Sequence, residues 1–203
     1  MNREIVEILG WLPVSFVEAV CEHIAKSDAG HSYEHVFDVV QEANRLSGGD
    51  RNAILAAFMH DIACGINRDQ HHQIGAQLAE ALLEMYDIEC DLDIVVKAVL
   101  EHRASWKAGY SSKVSEYVAA ADRGVPNADK HLKRSYLYAK SKLGKSHEQS
   151  VLHAFEHIRE KFLDNTPEVP DWYMDYYRAE WAEMRRILRS ETLEATAKRM
   201  RFM

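Results

Sequence analysis

Apolar residues recur at three- and four-residue spacing in one segment of this chain after another, and that spacing leaves few folds open. Ile5, Ile8 and Leu9 begin the pattern. Phe16, Val17, Val20 and Ile24 continue it, followed by Val36, Val39, Val40 and Ala43, and later by Ile94, Val95, Ala98 and Val99. Residues so spaced line one side of an α-helix, whereas a half-buried strand would alternate every second residue. Polar breaks separate the segments. Residues 3–26 read as two short helices parted near Pro13. "SDAGHS" (27–32) and "SGGD" (47–50) bound a helix from about Tyr33 to Leu46, and Asp50 is placed to cap the next, roughly 51–63. "GINRDQ" (65–70) is a turn, helices follow over 71–86 and 91–102, and "RASWKAGYSS" (103–112) is a loop before a helix near 113–123. A polar helical region over 128–163 meets the breaker "DNTPEVPD" (164–171), after which one long helix is expected to run to the C-terminus. Nine glycines and four prolines in 203 residues, with Ala, Leu, Glu, Lys and Arg abundant, agree with an all-α fold.

A formal net charge of −7 argues against a surface built to coat nucleic acid. Cys21, Cys64 and Cys90 are odd in number and far apart, with no CxxC pair, so a reducing compartment is expected. Glu4 and Glu7 interrupt the first apolar stretch, which has no signal-peptide layout, and no run approaches the roughly 20 apolar residues of a membrane span. The expectation is a cytoplasmic protein that does not enter a membrane.

The departures from apolar burial cluster at helix ends. In "AAFMHDIACG" (57–66), His60 and Asp61 stand side by side where an apolar run stops. His35, His71 or His72, His102 and Asp122 share that setting, each near the end of an expected helix and flanked by apolar residues. Imidazoles and carboxylates are the ligands of Mn, Fe, Co, Ni or Zn. Neighbouring residues of an ideal helix point about 100° apart, so His60 and Asp61 can share one ion only where the helix ends. Spacing alone leaves two readings open, a metal centre or a set of separately satisfied histidines.

Five stretches in order, "HSYEHVFDVV", "FMHDIA", "HHQIGAQLA", "VVKAVLEHRA" and "YVAAADRG", resemble the successive motifs of the HD-domain superfamily of metal-dependent phosphohydrolases. The resemblance implies a helical bundle over residues 28–125 with its metal site at helix ends. Helices of residues 1–27 would pack on that core, and residues 126–203 would form a C-terminal helical extension. It implies His35, His60, Asp61 and Asp122 as ligands of one divalent metal (Mn, Fe, Co, Ni, Mg or Zn). His71 and His102 would serve as second-metal ligands in a binuclear version, with His72 the alternative to His71 and His31 a ligand neighbour or a loop residue. Asp61, His60 and His102 would then be the catalytic residues, Asp61 orienting or deprotonating a metal-bound water. The chain departs from the pattern at one point. Binuclear members often read HDIGK, with the lysine near the phosphate, and here those positions read "HDIAC". Arg68, Arg103 or Lys130 would have to supply that charge, with His72 also near the substrate.

Trp106 and Tyr110 sit in the loop after His102 and could stack a base, which makes small nucleotides the expected substrates rather than long nucleic acids. His153 and His157, at i, i+4, read as a solvated helix face. Trp172, Tyr176, Trp181 and Met184 read as a packing stripe against the domain or a homodimer contact. Two other functions share the pattern: a di-iron oxygenase of the same fold, and a non-catalytic metal-containing sensor or scaffold.

Overall fold

The computed structural model describes residues 3–27, 32–165 and 169–201. The α-helices among them are α1 (Arg3–Leu9), α2 (Val14–Ile24), α3 (Tyr33–Ser47), α4 (Arg51–Met59), α5 (His71–Met85), α6 (Leu92–Glu101), α7 (Lys113–Arg123), α8 (Ala128–Ser141), α9 (His147–Arg159), α10 (Asp171–Tyr176), α11 (Arg178–Ser190) and α12 (Leu193–Met200). A π-helical turn, Glu160–Asp164, follows α9, and no described residue lies in a strand, so the fold is all-α. None of these helices is long and apolar enough to cross a membrane. The chain divides into two compact units, residues 1–124 with 168–170, and residues 125–167 with 171–203.

The first unit is arranged around α4, in which every residue from Ala53 to Met59 is buried. A helix apolar on all sides belongs in the middle. Helices α3, α6 and α7 pack against it, α5 packs on α6, and α1 on α3. Leu55, Phe58 and Met59 are fully buried, each contributing about 1.5–3 kcal/mol relative to exposure.

The starts of α4 and α6 are tied together. Asp50 caps α4 by accepting from the backbone N–H of Asn52 at 2.8 Å and Ala53 at 3.3 Å. Asn52 Oδ1 accepts from the N–H of Asp91 at 3.0 Å, and the Asp91 carboxylate caps α6 through Ile94 N–H at 3.2 Å. Helices joined at their starts, nine and ten residues long at about 1.5 Å per residue, finish at the same level. Their C-caps, His60 and His102, therefore meet with ring centroids 5.1 Å apart.

Helix α4 stops at Met59 rather than running to 63 as its apolar pattern suggests. From there the backbone tightens, with N–H groups of Ile62, Cys64 and Ile66 donating three residues back to Met59, Asp61 and Ala63 at 2.9–3.1 Å. A Cβ on Gly65 would lie 2.7 Å from the carbonyl carbon, oxygen and Cβ of Lys26. Only glycine lets the end of the α2 segment seat this turn.

In the second unit α8 and α9 pack together, with α11 against α8 and α12 against both. Ser146 and Gln149 form a capping box that starts α9. The single long C-terminal helix expected from the sequence is three helices. Tyr177 leaves helical geometry between α10 and α11, and Glu191 and Thr192 are extended, with Thr192 capping α12 through Ala195 N–H. The packing stripe keeps helical spacing through the first break but lies one residue later than Trp172 and Tyr176 suggested. Tyr173, Tyr177, Trp181, Met184 and Leu188 are the buried residues, whereas Tyr176 is 54% exposed.

Candidate metal centre

The side chains singled out at helix ends come to one place in the first unit. His35 is the third residue of α3, His60 and His102 are the C-caps of α4 and α6, His71 is the first residue of α5, and Asp122 is the penultimate residue of α7. Asp61 follows His60 in the tightened turn. Asp61, His60, His35, His71 and His102 are all buried.

They form two groups, His35, His60 and Asp122, and Asp61, His71 and His102, each with its ligand atoms within 4.8 Å of one another. Asp61 faces both. Its Oδ2 lies 3.2 Å from His60 Nε2 and 3.5 Å from His35 Nε2. Its Oδ1 lies 3.4 Å from His71 Nε2 and 3.6 Å from His102 Nε2. Asp122 Oδ1 completes the first group, 3.2 Å from His35 Nε2 and 3.9 Å from His60 Nε2. Of the two adjacent histidines, His71 is the one in the centre. His72 is half-buried beside it, with its Nδ1 enclosed and without a hydrogen-bond partner among the described residues.

Three backbone carbonyls set the histidine tautomers. Nδ1 of His60, His71 and His102 meets the carbonyl three residues earlier, on Ala57, Arg68 and Val99, at 2.7, 2.6 and 2.6 Å. A carbonyl only accepts, so each Nδ1 carries hydrogen and each Nε2 turns toward the cluster, the arrangement a metal-ligating histidine needs. With both rings neutral, His71 and His102 present Nε2 lone pairs to each other at 3.1 Å. His60 and His35 approach through Nε2 at 3.4 Å. Asp61 Oδ2 is buried and, with these rings neutral, accepts no hydrogen bond from a described residue.

This arrangement fits divalent cations. Ligand atoms about 2.1 Å from one ion in tetrahedral or octahedral geometry are about 3.0–3.4 Å apart, close to the 3.1–3.9 Å separations between the facing atoms here. A cation would also compensate two lone-pair atoms held face to face and a buried carboxylate oxygen.

The protonation of the metal-free cluster follows from its charges. Burial opposes charge on His60, but the Asp61 carboxylate beside it and Asp122 beyond outweigh burial and raise its pKa to about 9. Burial likewise opposes charge on Asp61, and the His60 imidazolium with the surrounding imidazoles holds it well below the usual carboxylate range. Asp122 is also held well below that range, by His35 and by Arg123, against the same opposition. Burial and then His102 push His71 down to about 4, so it is neutral at physiological pH.

Around the cluster, Arg123 donates to Asp122 Oδ2 at 2.5 Å and to the His102 carbonyl at 3.1 Å. The Cys64 thiol donates to Asp61 Oδ1 at 3.2 Å from the position where the family pattern often has lysine. Asn67 Oδ1 accepts from the N–H groups of Asp69 and Gln70 at 3.0 and 3.1 Å, shaping the turn into His71. Arg103 donates to the Asp69 carbonyl from the other side. Glu101, buried at the end of α6, accepts from Ser111 N–H and Oγ at 2.9 and 3.0 Å and closes the 103–112 loop. In that loop Trp106 is half-buried, its indole N–H donating to the Gly109 carbonyl at 2.6 Å. Arg68 is exposed, Lys130 lies on α8 in the second unit, and His31 is outside the described residues. His153 and His157 stack 5.6 Å apart on α9 and join no group of three ligand-type residues among the described residues.

Sequence reasoning did not single out Arg123, Cys64 or Glu101. Arginine beside Asp122 and cysteine in the doublet's turn were visible, but nothing in spacing said that they point inward.

The family model of the HD domain matches residues 29–127, a stretch that contains all six converging side chains. The chain belongs to the HD-domain superfamily, whose members are mostly hydrolases and whose domain binds divalent metals. No match was found among curated proteins or among solved structures.

Proposed function

We propose that this protein is a metal-dependent phosphohydrolase that hydrolyses phosphate esters of small nucleotides. The carrying observation is the Asp61 carboxylate, which offers one oxygen to each of two histidine pairs and so supports a two-ion centre. Divalent ions there would neutralise a phosphate oxygen and lower the pKa of a bound water toward neutrality. The chain's own residues do the rest. His35, His60 and Asp122 would hold the first ion and His71 and His102 the second, with Asp61 facing both groups. Asp61 would also orient the attacking water, whose acidity the ions raise. His72 and Arg103, on either side of the turn into His71, supply polar and cationic contacts for the substrate phosphate in place of the family's lysine. Trp106 offers a face for a base.

The test is metal-stripped protein reconstituted separately with Mn, Fe(II), Co, Ni, Mg and Zn, and assayed on nucleoside mono- and triphosphates and on glycerol phosphate. Nucleotides should turn over faster, and Trp106→Ala should raise KM more than it lowers kcat. Equal rates on nucleotides and glycerol phosphate, unaffected by that substitution, would remove the base contact. Inactivity on the whole panel with every metal would remove the hydrolase, and oxygen uptake by the iron form would replace it with the oxygenase.

A further inference from the structure

Arg123 ends α7 with a side chain only 9% exposed. Adjacent helix residues point about 100° apart, yet its Nη1 reaches the neighbouring Asp122 Oδ2 at 2.5 Å, while Nη2 reaches the His102 carbonyl at 3.1 Å. Gly124, at φ 66°, ends the helix immediately afterwards and lets the chain leave without continuing the turn. The two contacts touch both halves of the centre. Asp122 belongs to the group with His35 and His60, and His102 to the group with Asp61 and His71.

The guanidinium occupies the outer oxygen of Asp122 and leaves Oδ1 facing His35 at 3.2 Å. Without it, Asp122 can rotate about its last bond and offer either oxygen or both. The carbonyl of His102 is one of the unpaired acceptors at the end of α6, where a cation is favoured. Pinning that carbonyl fixes the turn from which the His102 ring projects. Arg123 Nε–H, in contrast, is buried with no hydrogen-bond partner among the described residues. A residue serving only to fill space would not carry that cost.

We infer that Arg123 is a positioning residue of the metal centre: it presents Asp122 to the cation through Oδ1 alone and holds the His102 turn in register with it. The inference rests on the metal-centre reading above. It assigns Arg123 no contact with substrate. Residues that orient ligands in this way typically change metal affinity 10–100-fold when removed.

The experiment is a Co(II) titration of the metal-stripped full chain, followed by visible absorption, for wild type, Arg123→Met and Arg123→Lys, with the Tm of each metal-free protein. In Arg123→Met one of the two Co(II) equivalents should weaken about 10–100-fold, with an altered absorption band, while the other moves less. Arg123→Lys keeps the charge but not the fork and should fall between Met and wild type. Wild-type Co(II) affinities and spectra in Arg123→Met, with only the metal-free Tm lowered, would reduce Arg123 to a cap on α6. Should the Met variant not fold, wild-type affinity and spectrum in Arg123→Lys would overturn the inference equally. If wild type itself takes up no Co(II), the metal-centre reading fails instead, independently of Arg123.

Discussion

Glu191, in the second unit, is buried and answered from within that unit. Its Oε1 accepts from Thr196 Oγ1 at 3.0 Å and Arg199 Nε at 3.2 Å, and its Oε2 from Arg199 Nη2 at 3.3 Å. In the first unit, Asp61 and the histidines around it are buried as deeply, but their acceptor atoms face one another. Both regions carry polar groups out of water, and the cost of doing so is similar in kind. The difference lies in what completes them. The Glu191 cluster is closed by a donor of its own chain, whereas the Asp61 cluster presents lone pairs that only protons or cations complete. Burial of polar groups therefore does not mark a site by itself; incomplete compensation does.

The comparison breaks most severely if Asp61 is removed. Asp61→Ala takes an oxygen from each group, so metal content by elemental analysis should fall from two per chain to below one, with hydrolysis lost and helical content by circular dichroism largely kept. His71→Ala should by contrast leave one metal per chain. A fully active Asp61→Ala protein, or His71→Ala with unchanged metal content, would show that the two groups do not work as drawn.

A smaller effect follows from His60. Its folded pKa, about 9, lies above the ordinary value of 6.5, so its proton stabilises the metal-free fold fully below pH 6.5, and that contribution is lost as pH rises through 9. The depressed carboxylates contribute stability that is lost only in stronger acid, and His71, pushed down to about 4, titrates outside this window. Between pH 6.5 and 9 a cation displaces the His60 proton. Apparent metal affinity should therefore rise by up to about tenfold per pH unit, with proton release on binding. Calorimetric titration in buffers of different ionisation enthalpy would measure that release, and its absence would mean that His60 is neutral in the metal-free protein.

The smallest effect belongs to the second unit. Arg199→Met leaves the Glu191 carboxylate with Thr196 alone, and the arginine is itself 39% exposed. The expected loss is about 1–2 kcal/mol of stability, read by denaturant unfolding, with metal content and its pH dependence unchanged. An altered metal content in this variant would mean that the two kinds of buried cluster are not independent.

The helices were legible because their apolar faces repeat at helical spacing, and the start of α4 because Asp50 is a side-chain cap. The end of α4 was not. "IAC" continues its apolar run, and only packing shows that the chain tightens at His60 and that Gly65 must pass against Lys26. The C-terminal breaks were hidden for the same reason. Tyr177 and Glu191 carry no turn chemistry, and a continuous amphipathic pattern runs through both.

The residue types of the centre were set by the sequence alone. Four imidazoles and two carboxylates at successive helix ends are a ligand set in any fold that brings them together, and their order carries the family resemblance. Tertiary structure decided their geometry. The Asn52–Asp91 tie levels the ends of α4 and α6, the carbonyls of Ala57, Arg68 and Val99 turn each Nε2 inward, and His71 rather than His72 enters the cluster. The carbonyl contacts are local to each helix end, but the tie and the choice of His71 depend on distances between residues far apart in the chain. Local periodicity reports which side of a helix a residue occupies, but not what stands opposite it.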